Sequence, residues 1–201
     1  MISAPANARL IKKSILFQGY HRVTEFHFRA GSQRDGKDFA LDREVFDCGN
    51  HACVLPYDPR RDEVVLIRQF RAGAYVAGMP PWTWEMVGGI VGEGETPDAV
   101  VRREAVEESG LALRALMPLY KAMACPGAVT EIRTMFLGLA DTQEAGGFFG
   151  LESEGEDIFA DVVPLVTVRA MLKRGDIIDL SCIAALQWLL LNRDEVQARW
   201  G

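Results

Sequence analysis

Residues 85–111, EMVGGIVGEGETPDAVVRREAVEESGL, constrain the fold more than any other part of the chain. EMVGG reads as a strand and IVGEGE as a loop. Thr96-Pro97-Asp98 then opens a helix, with Thr96 as N-cap, proline at the first helical position and an acid in the first turn. Val101 and Ala105 form an apolar stripe expected to lie opposite the acids, and Gly110 stops the helix. Glu104 and Glu108 are four residues apart and share a helical face, with Glu107 beside it. Like charges at this spacing destabilise a helix by roughly 0.2–0.5 kcal/mol per pair. On the helix alone, a solvated acidic face is the ordinary reading. A cluster packed inward needs an offsetting cation, and oxygen ligands suit a hard divalent ion, Mg²⁺ or Mn²⁺.

The segment resembles the Nudix box, G-x5-E-x7-R-E-U-x-E-E-x-G-U with U apolar. Gly89, Glu95, Arg103, Glu104, Glu107, Glu108, Gly110 and Leu111 fill its positions. Ala105 occupies a U position that more often carries a larger aliphatic residue, so the helix is expected to sit close to its sheet. A motif with this many fixed positions is far more specific than a short glycine pattern.

The rest of the chain sets bounds. Its 201 residues suffice for one sizeable core, alone or with a small appendage. A net charge of −6 argues against nonspecific binding to nucleic acid or an anionic membrane. Cys48, Cys53, Cys125 and Cys182 show no CxxC spacing, and they read as reduced, buried thiols of a cytoplasmic protein. The N-terminal stretch lacks the apolar run of a secretory signal, and IAALQWLLL is too short to span a bilayer. His21, His27 and His51 are scattered, without the spacing of a zinc site.

Along the chain, SILFQGYHRVTEFHFRA and FALDREVFDCG are strand-like, with a turn at GSQRDGKD between them. Residues 1–46 are expected to form an N-terminal β region used for dimerisation, and residues 47–201 the main domain. In the latter, HACVLPYD, DEVVLIRQFR, PLYKAMACPG and IRTMFLGLA read as strands. Residues 141–157 read as a glycine-rich acidic surface loop. VTVRAMLKRG reads as a short helix with Thr167 as N-cap and Gly175 as stop. SCIAALQWLLLNRDEVQARW reads as a final amphipathic helix with Ile183, Leu186 and Leu190 inward. Trp82 and Trp84 suit core packing or a dimer contact better than base stacking. Strands interleaved with helices suggest a mixed sheet covered on both faces. The Nudix resemblance implies the same α/β fold, an α/β/α sandwich with the box helix on one side.

From about residue 15 onward the chain is also similar to bacterial ADP-ribose pyrophosphatases. The likeness is carried by FDCGNHACVLPYDPRRDEVVLIRQFR, PWTWEMVGGIVGEGE, CPGAVTE, the SEGEDI loop and the IAALQWL tail. It implies Mg²⁺-dependent hydrolysis of the diphosphate of ADP-ribose, Mn²⁺ being a possible substitute. Another nucleotide sugar such as GDP-mannose, or a noncatalytic nucleotide-sugar sensor, stand as alternatives. The resemblance implies Glu104 and Glu108 as the main metal ligands, with Glu107, Glu156 and the Gly88 carbonyl assisting. It implies Glu154 as general base, and Glu95 and Arg103 as residues that hold the loop and helix in place beside the reacting groups. It further implies substrate contacts from Arg71 and Glu85. Tyr20, Arg43 and Glu131 would contribute across a homodimer. The chain departs from the family where SPGGTSE is common: Ala128 and Val129 are bulkier and less polar, which bears on the terminal-sugar pocket.

Overall fold

The structure, a computed structural model, describes residues 7–151 and 155–201. The chain groups into two compact units, one comprising Met1–Asn50 with Met123–Ile132 and the other His51–Ala122 with Arg133–Gly201.

In the first unit, β1 (Ala8–Gln18), β2 (Arg22–Gly31) and β3 (Asp38–Asp47) form an antiparallel sheet in sequential order. Residues 125–130 are tied to its β3 edge. Phe46 N donates to Ala128 O at 2.8 Å, Thr130 N to Phe46 O at 3.0 Å, and the Thr130 hydroxyl to Asp47 at 2.8 Å. The segment thus extends the sheet instead of continuing from the strand before it.

The second unit is built on a mixed sheet. Its described strands are β4 (His51–Asp58), β5 (Glu63–Phe70), β6 (Trp82–Glu85), β7 (Val87–Ile90), β8 (Ala115–Ala122), β9 (Arg133–Leu139), β10 (Gly147–Phe149) and β11 (Ile158–Pro164). The order is β10-β11-β5-β4-β9-β8, with β6 paired to β5 and β7 to β4. β4 and β9 run parallel; the other pairs are antiparallel.

Period-two alternation along the central strands sends side chains to two cores. Ala52, Val54, Val65 and Ile67 meet Val100, Val101 and Ala105 of α2 (Pro97–Ser109). Cys53, Leu55, Tyr57, Val64 and Leu66 meet α3 (Leu165–Arg174) and α4 (Leu180–Trp200) through Val168, Met171, Cys182, Ala185, Leu186 and Leu189. A strand buried on both faces must be apolar throughout, which explains ACVLPY in β4. Each fully buried aliphatic side chain contributes about 1.5–3 kcal/mol. Helices on both faces give the expected α/β/α sandwich; a short α1 (Ala72–Val76) follows β5. No helix among the described residues is long and apolar enough to cross a membrane.

Several expectations need correction. α3 begins at Leu165 with Pro164 as N-cap, so Thr167 lies inside the helix. Buried Leu165 anchors that end, its N–H bonded to Asp62 O at 2.9 Å. In α4, Leu186 is buried and Ile183 and Leu190 pack against the same core, as expected, but Cys182, Ala185 and Leu189 belong with Leu186 in its deeply buried set. The 141–157 region contains β10, paired with β11. None of the four cysteines is in a disulfide, but Cys125, in the loop before Pro126, is exposed and Cys48 half-buried. Trp84 packs against the α4-side core, whereas Trp82 is exposed and edge-on to Phe70.

Candidate active site

The site lies where the sheet splits. β4 and β5 pair only at Tyr57–Val64 and Asp58–Glu63, beside their connecting turn. Beyond that, β4 pairs with β7 and β5 with β6, so the two short strands fill the gap. A cleft of about 440 Å³ opens at this end, lined in part by Arg71, Glu85, Gly88 and Gly89.

Helix α2 runs close over β7. Its start follows the sequence: Thr96 is the N-cap and Pro97 the first residue, although the Thr96 hydroxyl makes no capping bond. Gly110 ends it in a left-handed conformation, φ 70°. The acids, however, do not all lie opposite the apolar stripe. Val101, Ala105 and Glu108 follow an i, i+4, i+7 pattern, so Glu108 falls on the packed side and is only 4% exposed. Its Oε2 accepts a hydrogen bond from Gly88 N at 2.9 Å. Glu104 presses on the neighbouring glycine: a Cβ on Gly89 would stand 2.0 Å from Glu104 Oε1. Gly89 is therefore what lets the Glu104 carboxylate reach the strand, while Glu108 is held there by the Gly88 N–H.

This crowding shows in the protonation equilibria. Burial pushes the Glu108 carboxyl up to about 8; the Gly88 N–H works against this, while the charges of Glu104 and Glu156 add to it. Burial also raises Glu104, with Glu107 and Glu156 adding and Arg103 opposing. Arg103 Nη1 stands 2.8 Å from Glu107 and 3.0 Å from Glu104, and Nε 3.9 Å from Glu95. Glu95 Oε2 accepts from Gly92 N at 2.9 Å, closing the loop ahead of the helix. Among the described residues, no three His, Cys, Asp or Glu side chains already stand as a metal cage. The donor chemistry nonetheless fits a hard divalent cation. Two carboxylates that resist carrying charge side by side have only oxygen to offer, and a glycine backbone lies against them.

The cleft wall is charged in alternation. Arg71 donates to Glu85 through Nε at 2.8 Å and Nη2 at 2.6 Å, a bidentate pair, and the Thr83 hydroxyl also bonds Glu85. Burial would lower the Arg71 pKa, but Glu85 above all, then Glu108 and Asp179, raise it. The cleft is also lined by Arg133, Asp179 and Ser181, which the sequence reading missed. Asp179 caps α4, accepting from Cys182 N at 2.7 Å. The Asp-x-x-Cys spacing at the start of α4 carried that cap signal. Burial raises the Asp179 carboxyl, against the Cys182 N–H and Arg133.

The structure thus brings Arg71, Glu85, Gly88, Glu104 and Glu108 together, with Arg103 and Glu107 at the outer side of α2. Glu156 is near enough for its charge to raise both Glu104 and Glu108, and its carboxylate accepts from Leu151 N at 3.1 Å. Glu154 lies outside the described residues. Tyr20, Arg43 and Glu131 belong to the first unit: Tyr20 is 86% exposed, Arg43 is exposed on β3, and Glu131 is buried.

Residues 49–184 match the NUDIX domain. The ADP-ribose pyrophosphatase of Escherichia coli (strain K12) is 36% identical over 195 residues, covering 97% of this chain and 93% of the relative. The GDP-mannose pyrophosphatase of Enterobacter sp. (strain 638) is 32% identical over 185 residues, covering 91% and 95%. The crystal structure of an ADP compounds hydrolase superposes with a TM-score of 0.72 over 98% of each chain, at 15% identity, a likeness of fold. The domain match spans most of the second unit, including the strand, loop and helix that carry the crowded carboxylates, and the chain belongs to the Nudix hydrolase family.

Proposed function

We propose that the protein hydrolyses the diphosphate bond of ADP-ribose, giving AMP and ribose 5-phosphate, with Mg²⁺ as cofactor. The observation that carries this reading is the pair Glu104 and Glu108, crowded against Gly88 and Gly89 beside a cleft. The names of the relatives direct it toward nucleotide sugars. Glu104 and Glu108 would hold the cation, with Glu107, Glu156 and the Gly88 carbonyl as further oxygen donors. When bound, the ion neutralises the diphosphate and makes water a better nucleophile. Glu154 takes the proton from the attacking water, one phosphorus–oxygen bond forms, and the anhydride bond breaks. Arg103 holds Glu104 and Glu107 in place. Arg71 and Glu85 orient the substrate in the cleft. Tyr20, Arg43 and Glu131 contribute from the other subunit of a homodimer. Four cysteines outside disulfides suit a reducing, cytoplasmic setting.

The test is turnover of ADP-ribose and GDP-mannose with Mg²⁺, repeated with Glu104→Gln and Glu108→Gln. Loss of about 100-fold or more in kcat is expected for each variant, since each removes a charged ligand. Wild-type rates in both would defeat the mechanism. A higher kcat/KM on GDP-mannose would move the substrate to the second kind of relative. Binding without product release would make the protein a nucleotide-sugar sensor.

A further inference from the structure

Two ion pairs wall the cleft, and the functional reading uses only one, Arg71–Glu85. The other stands at the start of β9 and α4. Arg133 Nη1 lies 3.3 Å from Asp179 Oδ2 and 3.0 Å from Ser181 Oγ. Asp179 is itself held by the Cys182 N–H at 2.7 Å, so its carboxylate has little freedom and fixes the guanidinium. The side chains of Arg133 and Asp179 are 29% and 22% exposed. Folding alone does not call for this pair. An N-cap on α4 could be Asn or Ser equally well. Withdrawing two charges from water is costly, and the net contribution of such a pair to stability is small or negative.

We propose that Arg133, positioned by Asp179 and Ser181, is a specificity-determining residue that hydrogen-bonds a ribosyl hydroxyl of the substrate and favours a neutral, hydroxyl-bearing sugar over a phosphorylated one. The proposal rests on the nucleotide-sugar reading given above. Among the described lining residues Arg71 is paired with Glu85 and Arg133 with Asp179. On that reading the negative charge of the diphosphate would be met elsewhere, at the cation that Glu104 and Glu108 would hold. What remains on the wall is an alternation of donors and acceptors. A hydroxyl both donates and accepts, and satisfies such a wall. A phosphate brings further negative charge and has to compete with Glu85 and Asp179 for the two guanidiniums while being repelled by both carboxylates. The volume, about 440 Å³, is that of an ordinary small-ligand site.

The test compares ADP-ribose with ADP-ribose carrying an additional phosphate on one ribose or the other, in wild type, Arg133→Met, Arg133→Lys, Ser181→Ala and Asp179→Asn. Arg133→Met should raise KM for ADP-ribose about tenfold, the equivalent of one hydrogen bond to a charged group, and leave kcat within about threefold. Arg133→Lys should recover part of that loss, and Ser181→Ala should raise KM about threefold. Asp179→Asn keeps the cap on α4 but removes the Asp179 charge from beside Arg133. It should shrink the discrimination against the phosphorylated compound by about fivefold. If Arg133→Met fails to fold, Asp179→Asn carries the test. KM and discrimination unchanged within about twofold in the folded variants would overturn the assignment and leave the functional reading standing. A wild-type protein that neither binds nor cleaves a nucleotide sugar would overturn both.

Discussion

At the scale of single residues, the two glycines of β7 have different reasons to lack a side chain. A Cβ on Gly88 would meet the β4 backbone, 2.5 Å from Ala52 O and 2.8 Å from Cys53 Cα. Backbone in a paired strand cannot move aside cheaply, so Gly88→Ala should destabilise the protein by about 1–3 kcal/mol. The atoms nearest a Cβ on Gly89 all belong to the Glu104 side chain, whose carboxylate can swing away. Gly89→Ala should therefore fold with nearly unchanged stability, and displacing Glu104 should cost about 10–100-fold in activity or metal affinity. Thermal unfolding and kcat measured side by side separate the two; a fully active Gly89→Ala would contradict the placement of Glu104. The sequence made the acids of α2 legible because their types and spacing are local. It also contained the burial of Glu108, since counting four and seven residues on from Val101 reaches Ala105 and Glu108. The Arg133–Asp179 pair was not legible, because 46 residues separate its members and only the fold brings them together.

At the scale of elements, the turn between β4 and β5 is held from outside itself. Asp58 is 3% exposed. Its Oδ1 accepts from Arg60 N at 2.9 Å, and its Oδ2 from Arg61 Nη1 at 2.7 Å and Thr142 N at 3.2 Å. Burial alone would raise this carboxyl, but the Thr142 N–H, the Arg61 side chain and the turn amides outweigh it and hold the pKa below the ordinary value. A carboxyl depressed by folding stabilises the native state above its unfolded pKa, near 4, and the contribution disappears as pH falls through the folded value. Asp58→Asn should cost about 1–3 kcal/mol at pH 7, and the gap from wild type should narrow below about pH 4. Urea unfolding at both pH values checks this, and a gap that widens in acid would reverse the assignment. Elements of this kind divide by how local their cause is. The central strands and α2 announced themselves through apolar runs and end signals. β10 did not, because three residues among glycines are a strand only by pairing with β11. The start of α3 was misplaced for a similar reason: Asp62, more than a hundred residues earlier in the chain, receives the Leu165 N–H.

At the scale of the whole molecule, the first unit is short of a core. Within β1, β2 and β3 only Thr24 is buried. Leu10, Ile11, Ile15, Leu16, Phe17 and Phe39 are 47–62% exposed. β1 is an edge strand whose ladder slips between Leu10 and Lys12 and again between Ile15 and Phe17. Three strands without a buried face are marginal in water, and clustered apolar side chains on a surface mark an interaction site. A second copy of the chain would satisfy this sheet, since a two-fold pairing presents the same apolar patch from both sides. Sedimentation or light scattering should give twice the chain mass at micromolar concentration. Ile15→Glu combined with Phe17→Glu places charge in that patch, and should shift the protein to monomer while leaving the mixed sheet of the second unit folded. Activity should fall with the dimer, because Tyr20, Arg43 and Glu131 would no longer reach the neighbouring site. A stable wild-type monomer with full activity would remove those three residues from the mechanism, and Arg71, Glu85 and Arg133 would then bind the substrate within one chain.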